Sequence, residues 1–303
     1  MPDTMPSLMT AANQVQEFTI VQWQQVDRVL RQAMAEDLPN GDVTTIGMFG
    51  YENFDCKAML LAKEDGIVAG LPIVEHCLHS FNHTIKFRAA KRDGDRIRPG
   101  DTLAEVAGAA QSILTAERMC LNLLCHLSGI ATLTRQYVDK VAPYKTKILD
   151  TRKTLPGLRL LQRYAVRVGG GTNHRDSLSD MGMIKDNHVR VAAQRFPQAS
   201  FTELVRKIKA AVNVPVVLEI DAPDQIEQAK TSGADIVMLD NFSVAQLRAA
   251  VEQCKGSTLQ LEASGNVTVD NVADVAATGV HRISVGRLTH SAKALDISLE
   301  ISS

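Results

Sequence analysis

VPVVLEID (214–221), ADIVMLDN (234–241), LQLEASGN (259–266) and HRISVG (281–286) are short apolar runs that each end in polar or glycine residues. Runs of this length, bounded by turn residues, read as buried strands. KILDT (147–151) and GMIKD (182–186) have the same form upstream. Most of the intervals carry amphipathic helical runs, such as Phe201 to Ala211 and Val244 to Cys254. Strands that alternate with helices form parallel βα units. From Glu219 to Asp240, Ser264 and Gly286 the steps are 21, 24 and 22 residues, the length of one strand, loop, helix and return in a (β/α) barrel. About six such strands can be counted, fewer than the ideal eight. An open doubly wound sheet is the structural rival, but the first βα turn has no G-x-G-x-x-G.

Outward from this region the rhythm changes. Val26, Val29, Leu30, Ala33, Met34 and Leu38 follow helical spacing, and Pro39-Asn40-Gly41-Asp42 stops that helix. Between Cys56 and Gly108, short alternating segments broken by Asp65-Gly66, Asp93-Gly94 and Pro99-Gly100-Asp101 predict antiparallel strands and hairpins. GDRIRPGDTLAEVAG (94–108) resembles the folded-over strands of lipoyl and biotinyl carrier domains, but its turn carries Arg98-Pro99 in place of a lysine, so a structural hairpin is expected. A helical run follows from Ser112 to Leu127. Gly129 punctuates it before a second run to Val141, and these helices are read as the link between two halves.

Composition narrows the function. Of 303 residues, Lys+Arg number 33 and Asp+Glu 34, so no global field recruits nucleic acid or an anionic membrane surface. Aromatic residues are 4%, few for a protein that stacks bases on exposed rings. Cys56, Cys77, Cys120, Cys125 and Cys254 are odd in number and contain no C-x-x-C, which argues against a disulfide framework or zinc site and for a reducing cytoplasm. The first twenty residues lack a basic segment followed by an apolar one, and no stretch approaches the ~18 apolar residues of a membrane span.

The strand ends carry the chemistry. In a parallel barrel the strand C-termini converge on one mouth. Asp150-Thr151-Arg152-Lys153, Lys185-Asp186-Asn187-His188, Glu219-Ile220-Asp221, Asp240-Asn241, Ser264-Gly265-Asn266 and Ser284-Val285-Gly286 would then surround one pocket. Thr151 through Arg175 contains no acidic residue, and such a concentration of cations predicts an anionic substrate. Arg159, Arg163 and Arg167 fall at i, i+4, i+8 and read most simply as a solvated helix face. Arg152, Lys153, His174 and Arg175 are the better candidates for the site. Glu219 and Asp240 end adjacent strands and suit Mg2+, the plainer reading being ion pairs to Lys153 or Lys185. Ser264, Gly265 and Gly286 lie where barrel enzymes often bind a phosphate. His126 and the cysteines read as packing or surface residues.

EDLPNGDVTT (36–45), LLAKEDGIVAG (60–70), ILTAERMCLNLLCHLSGIAT (113–132), LDTRKTLPGLR (149–159), GGGTNHR (169–175), IKDNH (184–188), LEID (218–221), MLDNF (238–242), ASGNV (263–267) and SVGRLTH (284–290) run in order over nearly the whole chain. In these segments the sequence resembles quinolinate phosphoribosyltransferases. The resemblance implies an N-terminal α/β sandwich, residues 1–127 with its helical link, and an incomplete TIM-like α/β barrel over 128–290. The tail, about 291–303, is expected to pack back onto the first unit. It implies transfer of phosphoribosyl from phosphoribosyl pyrophosphate to quinolinate with decarboxylation, in a homodimer whose sites are shared. Arg118 would be the residue that visits the neighbour's site. Arg152, Lys153, His174, Arg175 and Lys185 would surround the quinolinate carboxylates and the pyrophosphate-bearing sugar. Glu219 and Asp240 would serve the ribose and Mg2+, directly or indirectly, and Ser264, Gly265 and Gly286 the 5-phosphate. Lys153 and Lys185 are the candidates to deliver the proton after decarboxylation, on residue type alone. The rival readings are a transferase with another aromatic acceptor, a Schiff-base aldolase using Lys153 or Lys185, and a phosphometabolite sensor without turnover.

Overall fold

In a computed structural model the residues described are 18–50, 52 and 54–302. The first 17 positions of the segment read as free of a targeting signal lie outside them. Thr19 caps α1 (Ile20–Asp37) in a reciprocal capping box with Gln22, so the helix begins six residues ahead of Val26, the first position of the periodic apolar run. Asp42 then caps α2 (Val43–Phe49) by accepting the Thr44 and Thr45 amides.

Five strands follow: β1 (Asp55–Ala62), β2 (Gly66–Ile67), β3 (Lys86–Ala89), β4 (Arg96–Ile97) and β5 (Thr102–Ala109). Two expectations fail here. The segment between β2 and β3 is a helix, α3 (Leu71–Phe81), with Leu71, Ile73, Val74, Cys77 and Leu78 buried at helical spacing. Its N-terminus is capped from a distance by Asp93, which accepts the Gly70 and Leu71 amides at 2.6 and 3.0 Å. No local cap residue announces the helix. Residues 94–108 form no hairpin either: β4 pairs with β2 while β5 pairs with β1 and β3.

The helical link is a single helix, α4 (Ala110–Val141). Gly129 does not break it. A Cβ there would stand 2.0 Å from the Lys293 carbonyl oxygen, so the glycine lets the C-terminal tail cross the helix in contact with its backbone. That tail ends in β12 (Ile297–Ser302), which pairs antiparallel with β1 and completes the sheet order β12-β1-β5-β3.

The second unit contains β6 (Lys147–Leu149), α5 (Arg159–Val168), β7 (Gly182–Ile184), α6 (Asp186–Arg195), α7 (Phe201–Ala211), β8 (Val216–Ile220), α8 (Ile226–Thr231), β9 (Ile236–Asp240), α9 (Val244–Gln253), β10 (Gln260–Ser264), α10 (Val272–Ala276), β11 (Arg282–Ser284) and α11 (Arg287–His290). Its six strands are all parallel, in the order β6-β11-β10-β9-β8-β7. Thr172 adds a parallel bridge to Leu149 at one edge. Arg175 Nη1 then donates to the Met181 carbonyl at 2.9 Å and ties that edge to the segment leading into β7.

Side-chain alternation separates a barrel from an open sheet. Val216, Leu218, Val237 and Leu239 belong to the large core under the helices. Val217, Ile236 and Met238 form a second, separate cluster with Met181 and Met183. A doubly wound sheet would carry helices on both faces. Here the second face closes on itself, and the unit is an incomplete α/β barrel.

Candidate active site

The strand C-termini do converge. A cavity of about 340 Å³ opens at the barrel mouth, lined among others by Arg152, Lys153, His174, Arg175, Lys185 and Glu219, with Asp240 and Ser264 on its far wall. A second cavity of about 430 Å³ adjoins it, sharing Thr151, Lys153, Ser264 and Ser284, and reaches Gly265, Gly286, Arg287 and His290. Ten of the eleven candidate residues therefore meet at one opening. The eleventh, Arg118, is exposed on α4 and lines neither cavity of its own chain.

Each side chain is held by a local device. Lys153 follows β6 in a turn where the Thr151 hydroxyl accepts its amide, and its carbonyl accepts the Thr289 hydroxyl of α11 at 2.8 Å. Arg152 and Arg175 share the cavity, and the Nε of Arg152 is buried without a partner among the described residues. Burial first, and the Arg152 charge second, pull the Arg175 guanidinium below its ordinary pKa. An anionic guest would relieve both. Glu219 acquires the cationic partner that its sequence context does not show: Lys185 Nζ lies 2.5 Å from its Oε2. The ion-pair reading is thus the observed one for Glu219.

On the opposite rim two strand-end turns interlock. Asn241 and Asn266 have positive φ (57° and 53°), as does Gly265 at 86°. The Asn241 side-chain oxygen accepts from Asn266 at 3.0 Å, and an added Cβ on Gly265 would meet it at 2.1 Å. At Gly286 a Cβ would stand 3.0 Å from Lys153 and 3.2 Å from His290. Both glycines keep a cradle open where backbone amides can approach a ligand.

The arginines of α5 require a correction. Arg163 is 9% exposed, lies 3.6 Å from Asp150, and donates to the carbonyls of His174 and Arg175 at 2.8 and 2.9 Å. Arg159 bonds the Asp176 carbonyl and Arg167 the Asn173 side chain. They clamp the segment that carries His174 and Arg175; they are not a solvated face. His174 also departs from a simple contact residue, because Nδ1 accepts the Arg175 amide and Nε2 faces Glu262 at 3.1 Å. His126, read as packing, bonds buried Gln162, which also accepts the Leu155 amide beside Lys153.

Sequence reasoning assigned nothing to Glu262, Arg287 or His290. Glu262 had a signal: it alternates with Gln260 and Ser264 on one face of an otherwise apolar strand. Arg287 and His290 are separated from Gly286 by helical geometry alone.

Fold and mouth together define an α/β-barrel enzyme that gathers cations and two carboxylates around anionic substrates. Family comparison then places it. The model described as quinolinate phosphoribosyl transferase, N-terminal domain, matches residues 42–128, and that of the C-terminal domain matches 130–300. The chain belongs to the quinolinate phosphoribosyl transferase family. It is 39% identical over 279 residues to the probable carboxylating nicotinate-nucleotide pyrophosphorylase of Bacillus subtilis, covering 91% of this chain and 93% of the relative. It is 41% identical over 278 residues to the Mycobacterium leprae protein of that name, at 90% and 95% coverage. Among solved structures, the nicotinate-nucleotide pyrophosphorylase of Francisella tularensis superposes with a TM-score of 0.84 at 38% identity, covering 92% of this chain and 96% of that one.

Proposed function

We propose that this chain transfers the phosphoribosyl group of phosphoribosyl pyrophosphate to quinolinate, releasing pyrophosphate and CO2 and forming nicotinate mononucleotide for de novo NAD synthesis. Relatives that carry the name of this activity span nine-tenths of the chain. The observation that carries the reading to this site is the pairing of Arg152 and Arg175 in one cavity with a buried, unpartnered guanidinium nitrogen. A neutral base would leave those charges uncompensated, whereas a pyridine dicarboxylate satisfies them.

Two polyanions must lie side by side before chemistry begins. At ~4 Å and an effective dielectric of ~20, each unscreened like-charge pair costs about 4 kcal/mol. Arg152, Arg175 and Lys185 offset this at the acid, and Lys153 stands where the two cavities join, facing the diphosphate. Gly265, Gly286 and Ser264 offer the 5-phosphate its seat. As the C1–O bond to pyrophosphate breaks, Glu219 and Asp240 favour the positive charge that grows on the sugar. The pyridine nitrogen closes the new C–N bond. The C2–carboxylate bond then breaks, its electron pair stays on C2 in the ring plane beside the positive pyridinium nitrogen, and a proton is taken up there in place of the departed CO2. Lys153 and Lys185, which both line the cavity, are the candidates to supply it.

Glu219 and Asp240 also fit Mg2+. No group of three or more His, Cys, Asp or Glu among the described residues could hold a metal by itself, so a divalent ion would share its shell with substrate phosphate and water, as Mg2+ commonly does. When bound it would neutralise phosphate charge. Glu219→Gln and Asp240→Asn should remain folded, lose activity about 100-fold, and shift the Mg2+ dependence. Unchanged metal dependence in both would remove this role.

A homodimer with shared sites is supported by surface chemistry. Val43, Ile46 and Met48 of α2 are exposed at 77, 42 and 71%, and α2 is tied to α4, which bears Arg118, by the Thr115 hydroxyl donating to Asp42. We place the protein in the cytoplasm on its five free cysteines. No helix of the described residues is long and apolar enough to cross a membrane. The Schiff-base alternative is disfavoured at Lys185 because its Nζ is engaged by Glu219.

The deciding assay is pyrophosphate release with quinolinate, nicotinate and nucleobases in turn. Quinolinate alone should support it, with matching CO2. Turnover with a nucleobase only would keep the fold assignment and overturn the substrate.

A further inference from the structure

Beneath the cavity floor the side chain of Glu262 is fully buried in the middle of the barrel. Arg282 Nε lies 2.9 Å from Oε2, His174 Nε2 lies 3.1 Å from Oε1, and the Ser284 hydroxyl donates to Oε1. Met238 of β9 stands beside Glu262 in register and belongs to an apolar cluster with Val217 and Ile236. A buried ion pair is often replaced by apolar side chains at no cost in stability. Fold stability alone therefore does not account for a carboxylate here.

Its contacts show what it does. His174 Nδ1 accepts the Arg175 backbone N–H at 2.7 Å. A ring nitrogen that accepts carries no proton, so the ring proton of His174 sits on Nε2, which is buried 3.1 Å from Glu262 Oε1 in an ionic contact without hydrogen-bond geometry. The His174 amide is itself fixed by Asp150 at 2.7 Å. Both His174 and Ser284 line the cavity, one from the edge segment and one from β11, and Glu262 grips both from below. Arg282 balances its charge. The field felt by a dianionic guest thus comes from the rim cations.

We propose that Glu262 is a positioning residue for the transfer reaction: by the contact of its carboxylate with the Nε2 edge of His174 it sets the ring that receives the Arg175 amide, and with it the place of the Arg175 guanidinium over the acid. The proposal rests on the reading of this cavity as the quinolinate end of the site. Glu262 touches no substrate, so its removal acts through geometry on one substrate more than on the other.

Steady-state kinetics on two double variants test it, with quinolinate and phosphoribosyl pyrophosphate varied separately. Glu262→Leu with Arg282→Met removes the ion pair as a unit. It should keep its thermal midpoint, raise KM for quinolinate about tenfold or more, and leave KM for phosphoribosyl pyrophosphate within about twofold. Glu262→Gln with Arg282→Met restores an acceptor for His174 and should return the quinolinate KM toward wild type. A wild-type quinolinate KM in the Leu/Met pair, or equal shifts in both KM values, overturns the proposal. Should the Leu/Met pair fail to fold, ¹⁵N NMR of histidine in the wild-type protein decides. The Nε2–H tautomer of His174 is the expected result; an Nδ1–H tautomer or an imidazolium near neutral pH overturns it. Arg152→Met run in parallel separates the two readings. If it loses quinolinate while the Glu262 variants do not, the cavity assignment stands and only the positioning role falls.

Discussion

Arg152 and Arg163 are both arginines of the same acid-free stretch, and their surroundings give them opposite work. Arg163 is buried against Asp150 and two carbonyls, whereas Arg152 keeps a buried nitrogen without a partner among the described residues. Unsatisfied buried donors are costly, about 1–3 kcal/mol each, and persist where a ligand completes them. Arg152→Met should therefore leave folding intact and lower kcat/KM for quinolinate about 100-fold, near 3 kcal/mol for a charge-assisted contact. A change below about threefold, with the thermal midpoint unaltered, would remove Arg152 from the acid-binding wall. Residue type and strand-end position marked Arg152 in the sequence. Nothing there showed that Arg163 is buried against Asp150, because helical spacing describes which side chains align and not what lies opposite them.

Among the elements, α4 shows how a local rule is overruled. Gly129 reads as a break, yet the helix continues through it because the tail at Lys293 needs the space of its missing side chain. Gly129→Ala would gain about 1 kcal/mol of helix propensity and incur about 1–3 kcal/mol or more of overpacking. The urea midpoint should fall, with amide protection lost first along β12; an unchanged or higher midpoint would show that the tail gives way freely. The loop leading into β7 depends on pH. Asp180 accepts the Asp176 and Ser177 amides at 2.7 and 2.8 Å. Partial burial raises its pKa, and those amides outweigh burial, bringing it down to about 2. A depressed carboxylate contributes stability above its unfolded value of about 3.9, and that stability is lost as pH falls toward about 2. Wild type should thus be more stable than Asp180→Asn at pH 6, and the gap should close between about pH 4 and 2. A gap independent of pH would contradict the capping role.

At the level of the whole molecule, Arg118 lies outside its own chain's cavities while its helix runs beside the exposed apolar face of α2. In the proposed shared-site homodimer, Arg118 would serve its neighbour's mouth. Arg118→Ala and Lys185→Ala proteins should each be nearly inactive and regain up to about a quarter of wild-type activity when mixed and allowed to exchange subunits, since a mixed dimer carries one intact site. Exchange verified by mass spectrometry without recovered activity would contradict shared sites.

The parallel βα unit, the polar strand ends and the cation-rich stretch were legible in the chain because each follows from periodicity, turn chemistry or charge counted within a few residues. So was the family, from ordered segments such as LDTRKTLPGLR and ASGNV. Three things were settled only in three dimensions: α3 with its cap from Asp93, the pairing of Lys185 with Glu219, and the burial of Glu262 under His174. Each depends on groups 22 to 88 residues apart. Such contacts form only once the barrel closes and β12 returns to β1. No local pattern encodes the distance between two side chains that the fold alone brings together.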